Sequence, residues 1–499
     1  MRNSRHFRGL QAGRLNEYAG EDQELERTES PVAASLEQPS APPASAQYRV
    51  SGRFYAFLIA FVSAVGGFLF GYDLAIMGGA NLYLLKQFAL SPGMFGFTSA
   101  SAGLGCIVGP FFGGWFCDRI GRRTTLIVAC LLLGVGSVFT AIPNDVTTFN
   151  IFRVVGGLGV GLCSIASPMY TNELAPARWR GGLGFMYQLA IVVGSVMAAV
   201  VAWLLAKWLA PEVSWRWMFG SELIFVAIFA VLLFLVPESP RWLAERGKIA
   251  AAQAIFTRID GPEFAQTEIA QVEKSLAAEA GSWRELLTPG IRKALFVGLC
   301  LALFNNCTGW SAIGGYLALL FERGGVSRTD ALFENVLAWC FMAVMTLAAC
   351  GLVDRAGRRP LWLISSLVMI GTNGLLGLVF YCGLKGWVVL VAVFLCAIPH
   401  SFALGPLPWL MMSEIFPTRI RARAVAITTT FIWLVNFLAG YLFPILAEVS
   451  ESVIGSMAGV FWLSSVFCVL AFVFGLVWLP ETKGRTLEEI ADSWHRPSR

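Results

Sequence analysis

The sequence predicts an all-α membrane protein with twelve transmembrane helices in two pseudo-symmetric six-helix bundles. Three observations predict it. The 499 residues are 56% hydrophobic and only 14% charged, with a mean hydropathy of +0.66, where a soluble globular chain carries about 25% charged residues. Apolar stretches of about 20 residues, the length that crosses hydrocarbon as a helix, recur along the whole chain and select helices over the alternating strands of a barrel. Short charged phrases also occur twice, in one order. Asp118–Arg123 returns as Asp354–Arg359, 236 residues on. Glu173-Leu-Ala-Pro176 with Arg180 returns as Glu414-Ile-Phe-Pro417 with Arg421, 241 on. Pro237-Glu-Ser-Pro returns loosely as Pro480-Glu-Thr-Lys, 243 on. A near-constant offset means a duplicated half, each half about six helices long.

Residues 1–50 are polar and rich in Ala, Pro, Ser and Glu, the composition of a disordered tail. The first bundle, 51–236, holds expected spans at about 55–79, 94–116, 124–143, 148–171, 182–206 and 216–236. The hydrophilic stretch 237–290 carries helical patterns at Ala250–Asp260 and Glu268–Ala280 and reads as a small helical linker domain. The second bundle, 291–480, holds spans at about 292–321, 329–352, 360–382, 387–412, 423–447 and 455–479, and a short tail, 481–499, follows.

Charge sets the topology. Of 37 lysines and arginines, Lys86, Lys207, Arg216, Arg323, Arg328 and Lys385 fall on one face, Arg153 lies inside a span, and the rest lie with the Asp118–Arg123 loop and the two tails. The positive-inside rule puts that loop and both termini in the cytoplasm. The basic loops are lipid and topology signals, not a nucleic-acid footprint. Eleven cysteines show no paired spacing and mostly lie within spans, as small buried hydrophobes do. The first apolar stretch is too long for a signal peptide.

A duplicated apolar half-protein is the build of a secondary transporter. Ionisable residues deep in a span are destabilising by about 2.5–3.5 kcal/mol each on insertion scales, so Asp73, Arg153 and Glu222 stand out. A carboxylate facing an arginine is neutralised by that arginine or by a proton. That is a two-state element, or else a static pair bracing the bundle. The repeated loop charges form a second set: Asp118, Arg119, Arg122, Arg123, Glu173, Arg180 and Glu238, then Asp354, Arg355, Arg358, Arg359, Glu414, Arg421 and Glu481. Gathered at helix ends, they read as a cytoplasmic latch, against the plainer alternative of solvated loop charges.

At these residues the chain resembles the major facilitator superfamily and, within it, the sugar porter family. The likeness runs from about Tyr55 to Glu489. It rests on Gly71-Tyr-Asp73, the two Asp-Arg-x-Gly-Arg-Arg loops, Pro237-Glu-Ser-Pro-Arg-Trp-Leu243, Gly405-Pro-Leu-Pro-Trp409, Ser413-Glu-Ile-Phe-Pro417 and Pro480-Glu-Thr-Lys-Gly-Arg485. The pattern is most similar to bacterial proton–xylose symporters, with facilitative glucose carriers more distant. The resemblance implies two bundles around a central site that opens alternately to each side. It also implies a proton-coupling role for Asp73 with Arg153, assisted by Glu222; facilitators typically carry asparagine where Asp73 stands.

For the solute, the resemblance implies contacts from Phe70, Gln188, Trp409, Trp433 and Asn436. The chain departs from the family elsewhere. Span seven usually reads Gln-Gln-x-x-Gly-x-Asn, and here it is Asn305-Asn306-Cys-Thr-Gly309-Trp-Ser311. Gly315 stands for a pocket tyrosine, Met342 for an asparagine, Ile432 for a polar residue and His400 for a phenylalanine. Asn305, Asn306, Ser311 and His400 join the expected solute contacts, although His400 also reads as a packing histidine. Shortened amides withdraw hydrogen bonds from a small sugar, at about 1–3 kcal/mol for each buried polar group left unpaired, which leaves room for a bulkier or less hydroxylated ligand.

The expected partners are therefore a sugar-like solute, a proton and the lipid bilayer, with no nucleic acid and with a monomeric carrier. No cofactor, metal or nucleotide is implied, and no P-loop is present. The short loops suit a bacterial inner membrane. The leading reading is proton-coupled solute symport. A uniporter, a carrier adapted to a non-sugar such as an organic acid, and a non-transporting receptor remain as alternatives.

Overall fold

Inside hydrocarbon every backbone N–H and C=O must be paired within the protein, which a helix does alone. The computed structural model describes residues 44–176, 180–277, 283–417, 419–485, 489–490 and 494, and among them there are helices and turns but no strand. Twelve helical segments are long and apolar enough to cross a membrane. Of the polar tails, residues 1–43 and most of 486–499 lie outside the described residues.

The first half comprises α1 (Ala44–Gln87), α2 (Pro92–Ile120), α3 (Arg122–Ala141), α4 (Val146–Leu174), α5 (Arg180–Trp208), α6 (Pro211–Gly220) and α7 (Glu222–Leu235). Helix starts follow capping chemistry. Ser91 caps α2 ahead of Pro92, and the Asp145 carboxylate accepts from the Thr148 backbone N–H at 2.8 Å to start α4. That bond holds the Asp145 carboxyl below the usual carboxylate range.

Three short helices follow, α8 (Pro240–Glu245), α9 (Ile249–Asp260) and α10 (Pro262–Ala277), then a 3-10 turn at Trp283–Leu287. Ala244, Ala252 and Val272 form their small common core. Arg258 on α9 stacks over the Tyr55 ring of α1 at 3.9 Å, which ties this layer to the first span.

The second half comprises α11 (Pro289–Cys307), α12 (Trp310–Gly315), α13 (Leu317–Arg323), α14 (Arg328–Ala356), α15 (Arg358–Tyr381), α16 (Trp387–Pro399), a π turn at His400–Leu404, α17 (Pro406–Glu414), α18 (Arg421–Ile454) and α19 (Ala458–Val477). Spans six, seven and ten therefore differ from the unbroken helices expected. Span six is interrupted at Ser221. Span seven breaks at Thr308–Gly309, where Gly309 has φ +109°, and again at Tyr316. Span ten widens into the π turn, closed by the Gly405 N–H donating to the His400 carbonyl at 2.8 Å. Pro406 and Pro408 follow it, and proline removes the donors that a regular helix would need there.

The halves meet through α2 against α18 and α5 against α14. Named contacts between them cluster on the face opposite the 118–123 and 354–359 loops. Phe97 meets Phe437 edge-on at 6.2 Å, Phe95 meets Tyr316 at 5.7 Å and Trp203 meets Phe333 at 5.2 Å. Asn81 Nδ2 donates to the Gly315 carbonyl at 3.0 Å, and Ser99 Oγ donates to Asn81 Oδ1 at 2.9 Å. These contacts hold the two halves against each other on this face.

Within the first half, α2 and α4 cross at glycine. A Cβ on Gly157 would overlap the Ala102 backbone, whereas one on Gly114 would meet nothing within 4 Å. Gly157→Val is expected to destabilise the protein by about 1–3 kcal/mol or more through overpacking, while Gly114→Ala leaves it near the parent. Thermal unfolding of the two purified variants in detergent checks this.

Candidate solute and coupling site

α1, α4 and α7 bring Asp73, Arg153 and Glu222 together in the apolar interior. Arg153 Nη1 donates to Asp73 Oδ1, and Nη2 donates to the Asp73 carbonyl at 3.3 Å. Side-chain exposure is 3% for Arg153 and 2% for Asp73. The guanidinium also lies 5.2 Å above the Phe219 ring. Glu222 is buried, within hydrogen-bonding reach of Asp73 and within electrostatic reach of Arg153. Next to it in span six, Ser221 Oγ shares a 2.6 Å hydrogen bond with Tyr72 Oη, beside both acids. Asp73 Oδ2, Glu222 Oε1 and Arg153 Nε have no hydrogen-bond partner among the described residues. Two facing carboxyls offer each other acceptors only, unless one carries a proton.

The second half supplies the polar and aromatic side chains. Asn305 Nδ2 donates to the carbonyls of Leu404 and Gly405 at 2.9 and 3.0 Å, linking the end of α11 to the π turn. Asn306 Nδ2 donates to the carbonyls of Ala302 and Ile432 at 3.3 and 3.2 Å, and its Oδ1 accepts from Asn436 Nδ2 at 2.9 Å. These amides thus bond to the protein. Trp433 is buried with Nε1 unpartnered and meets Phe70 of the first half at 5.3 Å. Trp409, Gln188, Ser311 and Asn436 are partly exposed. His400 is buried, stacks on Trp310 at 5.6 Å and leaves Nδ1 unpartnered. Among the described residues no group of His, Cys, Asp and Glu is gathered as a metal site requires.

The loop charges repeat in three dimensions. Arg122 pairs with Glu173 at 2.8 Å, and Arg358 with Glu414 at 3.1 Å. Ser239 Oγ donates to Glu173, and Thr482 Oγ1 donates to Glu414. Glu238 accepts the backbone N–H groups of Arg123 and Thr124 at the start of α3, and Glu481 accepts those of Arg358 and Arg359 at the start of α15. Arg123 donates to the Leu233 carbonyl, and Arg359 to those of Gly475 and Leu476. Gly121 and Gly357 make the intervening turns at φ +96° and +89°, a region that favours glycine. Asp118 lies 3.5 Å from Arg122, Arg119 stacks on Trp115, Arg421 donates to the Phe416 carbonyl, and the Arg355 carbonyl accepts from Lys483. The two principal ion pairs join helices of the same half, so each braces its own bundle. The side chains of Arg180 and Asp354 lie outside the described set.

Sequence reasoning passed over three groups. Asn81 bridges the halves, Ser221 anchors Tyr72, and Glu334 on α14 carries a buried, unpartnered Oε2. Each is a polar residue inside an apolar run, the same signal that marked Asp73.

A twelve-helix duplicated bundle with a buried acid–guanidinium cluster between its breaks defines a secondary transporter of the major facilitator type. The family model described as "Sugar (and other) transporter" matches residues 59–494. The chain belongs to the sugar porter family. It is 36% identical to the arabinose–proton symporter of Bacillus subtilis over 447 residues, covering 88% of this chain and 95% of that one. It is 35% identical to the D-xylose–proton symporter of Escherichia coli K12 over 472 residues, covering 88% and 96%. A solved structure of the xylose transporter XylE from E. coli, in an inward-open conformation, superposes with a TM-score of 0.77 at 32% identity, covering 88% of this chain and all of that one.

At Glu481, burial works against ionisation, but the backbone N–H groups of Lys483, Arg358 and Arg359 outweigh it and hold the carboxyl below the usual carboxylate range. A carboxyl whose folded form binds its proton more weakly stabilises fully above the ordinary value near about 4.3 and loses that contribution as the pH falls through the lowered one. Glu481→Gln is expected to destabilise by about 1 kcal/mol at pH 7, with the gap to the parent narrowing below about pH 4. Thermal unfolding across pH reads both.

Proposed function

We propose that the chain imports a sugar-like polyhydroxy solute together with a proton, by alternating access. The observation that carries this reading is the buried trio Asp73, Arg153 and Glu222. With both acids ionised the trio sums to one negative charge, held where a net charge is strongly disfavoured. One added proton neutralises it and supplies the donor that the facing carboxyl oxygens lack. Protonation also weakens the hold of Asp73 on Arg153 and so couples proton binding to the packing of α1 against α4.

The solute binds between the halves, with Gln188 and Phe70 on one side and Ser311, Trp409, Trp433 and Asn436 on the other, and Asn305, Asn306 and His400 shaping that second wall. The halves are in contact on the face opposite the basic loops, which supports access to the site from the basic-loop side. The charge distribution supports placing that side, with both termini, in the cytoplasm. The paired loop charges keep each bundle rigid as it rocks, and a latch across the halves in the opposite state would draw on the loop charges outside these pairs, such as Arg119 and Arg355. The working unit is a monomer in a cell membrane, built as bundles 51–236 and 291–480 joined by the helical linker 237–290. A charge crossing 100 mV supplies about 2.3 kcal/mol and each pH unit adds about 1.4 kcal/mol. Modest gradients thus sustain about a tenfold to several-hundredfold accumulation.

The test uses the purified chain in lipid vesicles with D-xylose and L-arabinose as first solutes. The parent is expected to draw protons in with solute. Asp73→Asn is expected to abolish that signal and uphill accumulation while still equilibrating solute down its gradient. If Asp73→Asn accumulates solute as steeply as the parent, the pair is a structural brace and the carrier is a uniporter.

A further inference from the structure

α1 turns one face toward the second half, and Phe70, Leu74 and Gly78 recur on it every fourth residue. Its two ends touch the other half differently. Phe70 meets Trp433, while a Cβ on Gly78 would lie 3.5 Å from the carbonyls of both Gly314 and Gly315. Eight residues of helix separate these contacts by about 12 Å, longer than one sugar ring. Leu74 lies between them, partly exposed. Opposite, Ser311 and Gly315 are four residues apart on α12 and both partly exposed, whereas Trp310, Ile313 and Gly314 turn into the core. A Cβ on Gly315 would meet nothing within 4 Å, so there is open space beside it.

The amide donors at the head of this wall are committed to the protein. Both Nδ2 hydrogens of Asn305 are donated to backbone carbonyls, as are both of Asn306, whose Oδ1 is taken by Asn436. A solute lined with hydroxyls on every side would leave several unpaired. Polar partners remain at the Phe70 end, where Tyr187 and Ile191 of α5 pack on Gly67 and Gly71 of α1 and so set Gln188 between those two levels, within a turn of Phe70. At the Gly315 end the space beside the Cα is open, and the Gly315 carbonyl is already taken by Asn81.

We propose that the preferred solute is a glycoside with an apolar aglycone. The sugar ring sits by Gln188 and Trp433, and the aglycone fills the space beside Leu74 and Gly315. This deepens the transport reading above and rests on it.

The experiment measures half-maximal thermal stabilisation of the purified full-length chain by 4-nitrophenyl β-D-glucoside, D-glucose and D-xylose, since a ligand that binds only the folded form stabilises it with occupancy. The aryl glycoside is expected to act at a concentration at least about tenfold below either sugar. Gly315→Tyr, which fills the space, is expected to remove that advantage, and Gly315→Ala to keep it. Glucose or xylose ranking level with or above the glycoside in the parent chain overturns the proposal, even where the tyrosine variant fails to fold. So does a glycoside advantage that survives in folded Gly315→Tyr. Solute-driven proton uptake in vesicles is scored separately. Its absence with a preferred glycoside would strike the coupling reading and leave the site assignment standing.

Discussion

A charge in hydrocarbon must be answered locally, and the Asp73–Arg153 pair meets that constraint for the first half. Neither residue is stable there alone, so α1 and α4 are held in one relative position for as long as both are charged. The breaks arrange themselves around the pair. Span six interrupts at Ser221, next to which Glu222 lies beside Asp73 and from which a hydrogen bond crosses to Tyr72.

The opposite economy governs the ends of the helices. Each half ends α2 or α14 in a glycine turn and starts the next helix on a carboxylate borrowed from a distant strand of sequence, Glu238 or Glu481. The helix starts leave N–H groups unpaired and partly positive, so an anion is the fitting cap. Each carboxylate is thus fixed to its own bundle, and Arg122, Arg123, Arg358 and Arg359 also reach a carbonyl or acid within that bundle. The result is two bodies, each braced by its own loop charges, that meet in a seam of aromatics and glycine on the opposite face.

Much of this was legible in the residues. The repeated phrases gave the duplication and the paired positions of the loop charges, but Glu238 and Glu481 read there as parts of a latch, whereas in the structure they cap α3 and α15 within their own bundles. Asp73, Arg153 and Glu222 were visible because a charge in a span has few explanations. The breaks in spans six, seven and ten were not legible, since hydropathy averages over the single residues that cause them. The amide bonds of Asn305 and Asn306 were hidden for a related reason. Asn305 depends on a carbonyl released at the π turn of another helix, and Asn306 on the Ile432 carbonyl of α18, neither of which any local pattern records. Glu334 escaped because an acid two turns from a span's end can reach water along its own stem.

The π turn has a consequence for how this protein can change over generations. In a regular helix the Leu404 carbonyl would seek the N–H of residue 408, but that residue is Pro408 and has none; Asn305 supplies the donor from a different helix. The widened turn and the amide are therefore a single inheritance. A lineage that regains an ordinary helix at 404–408 frees Asn305 for another task, and one that loses Asn305 strands the carbonyl. The two sites should drift as a couple among descendants of this chain, with neither tolerated in its ancestral form without the other.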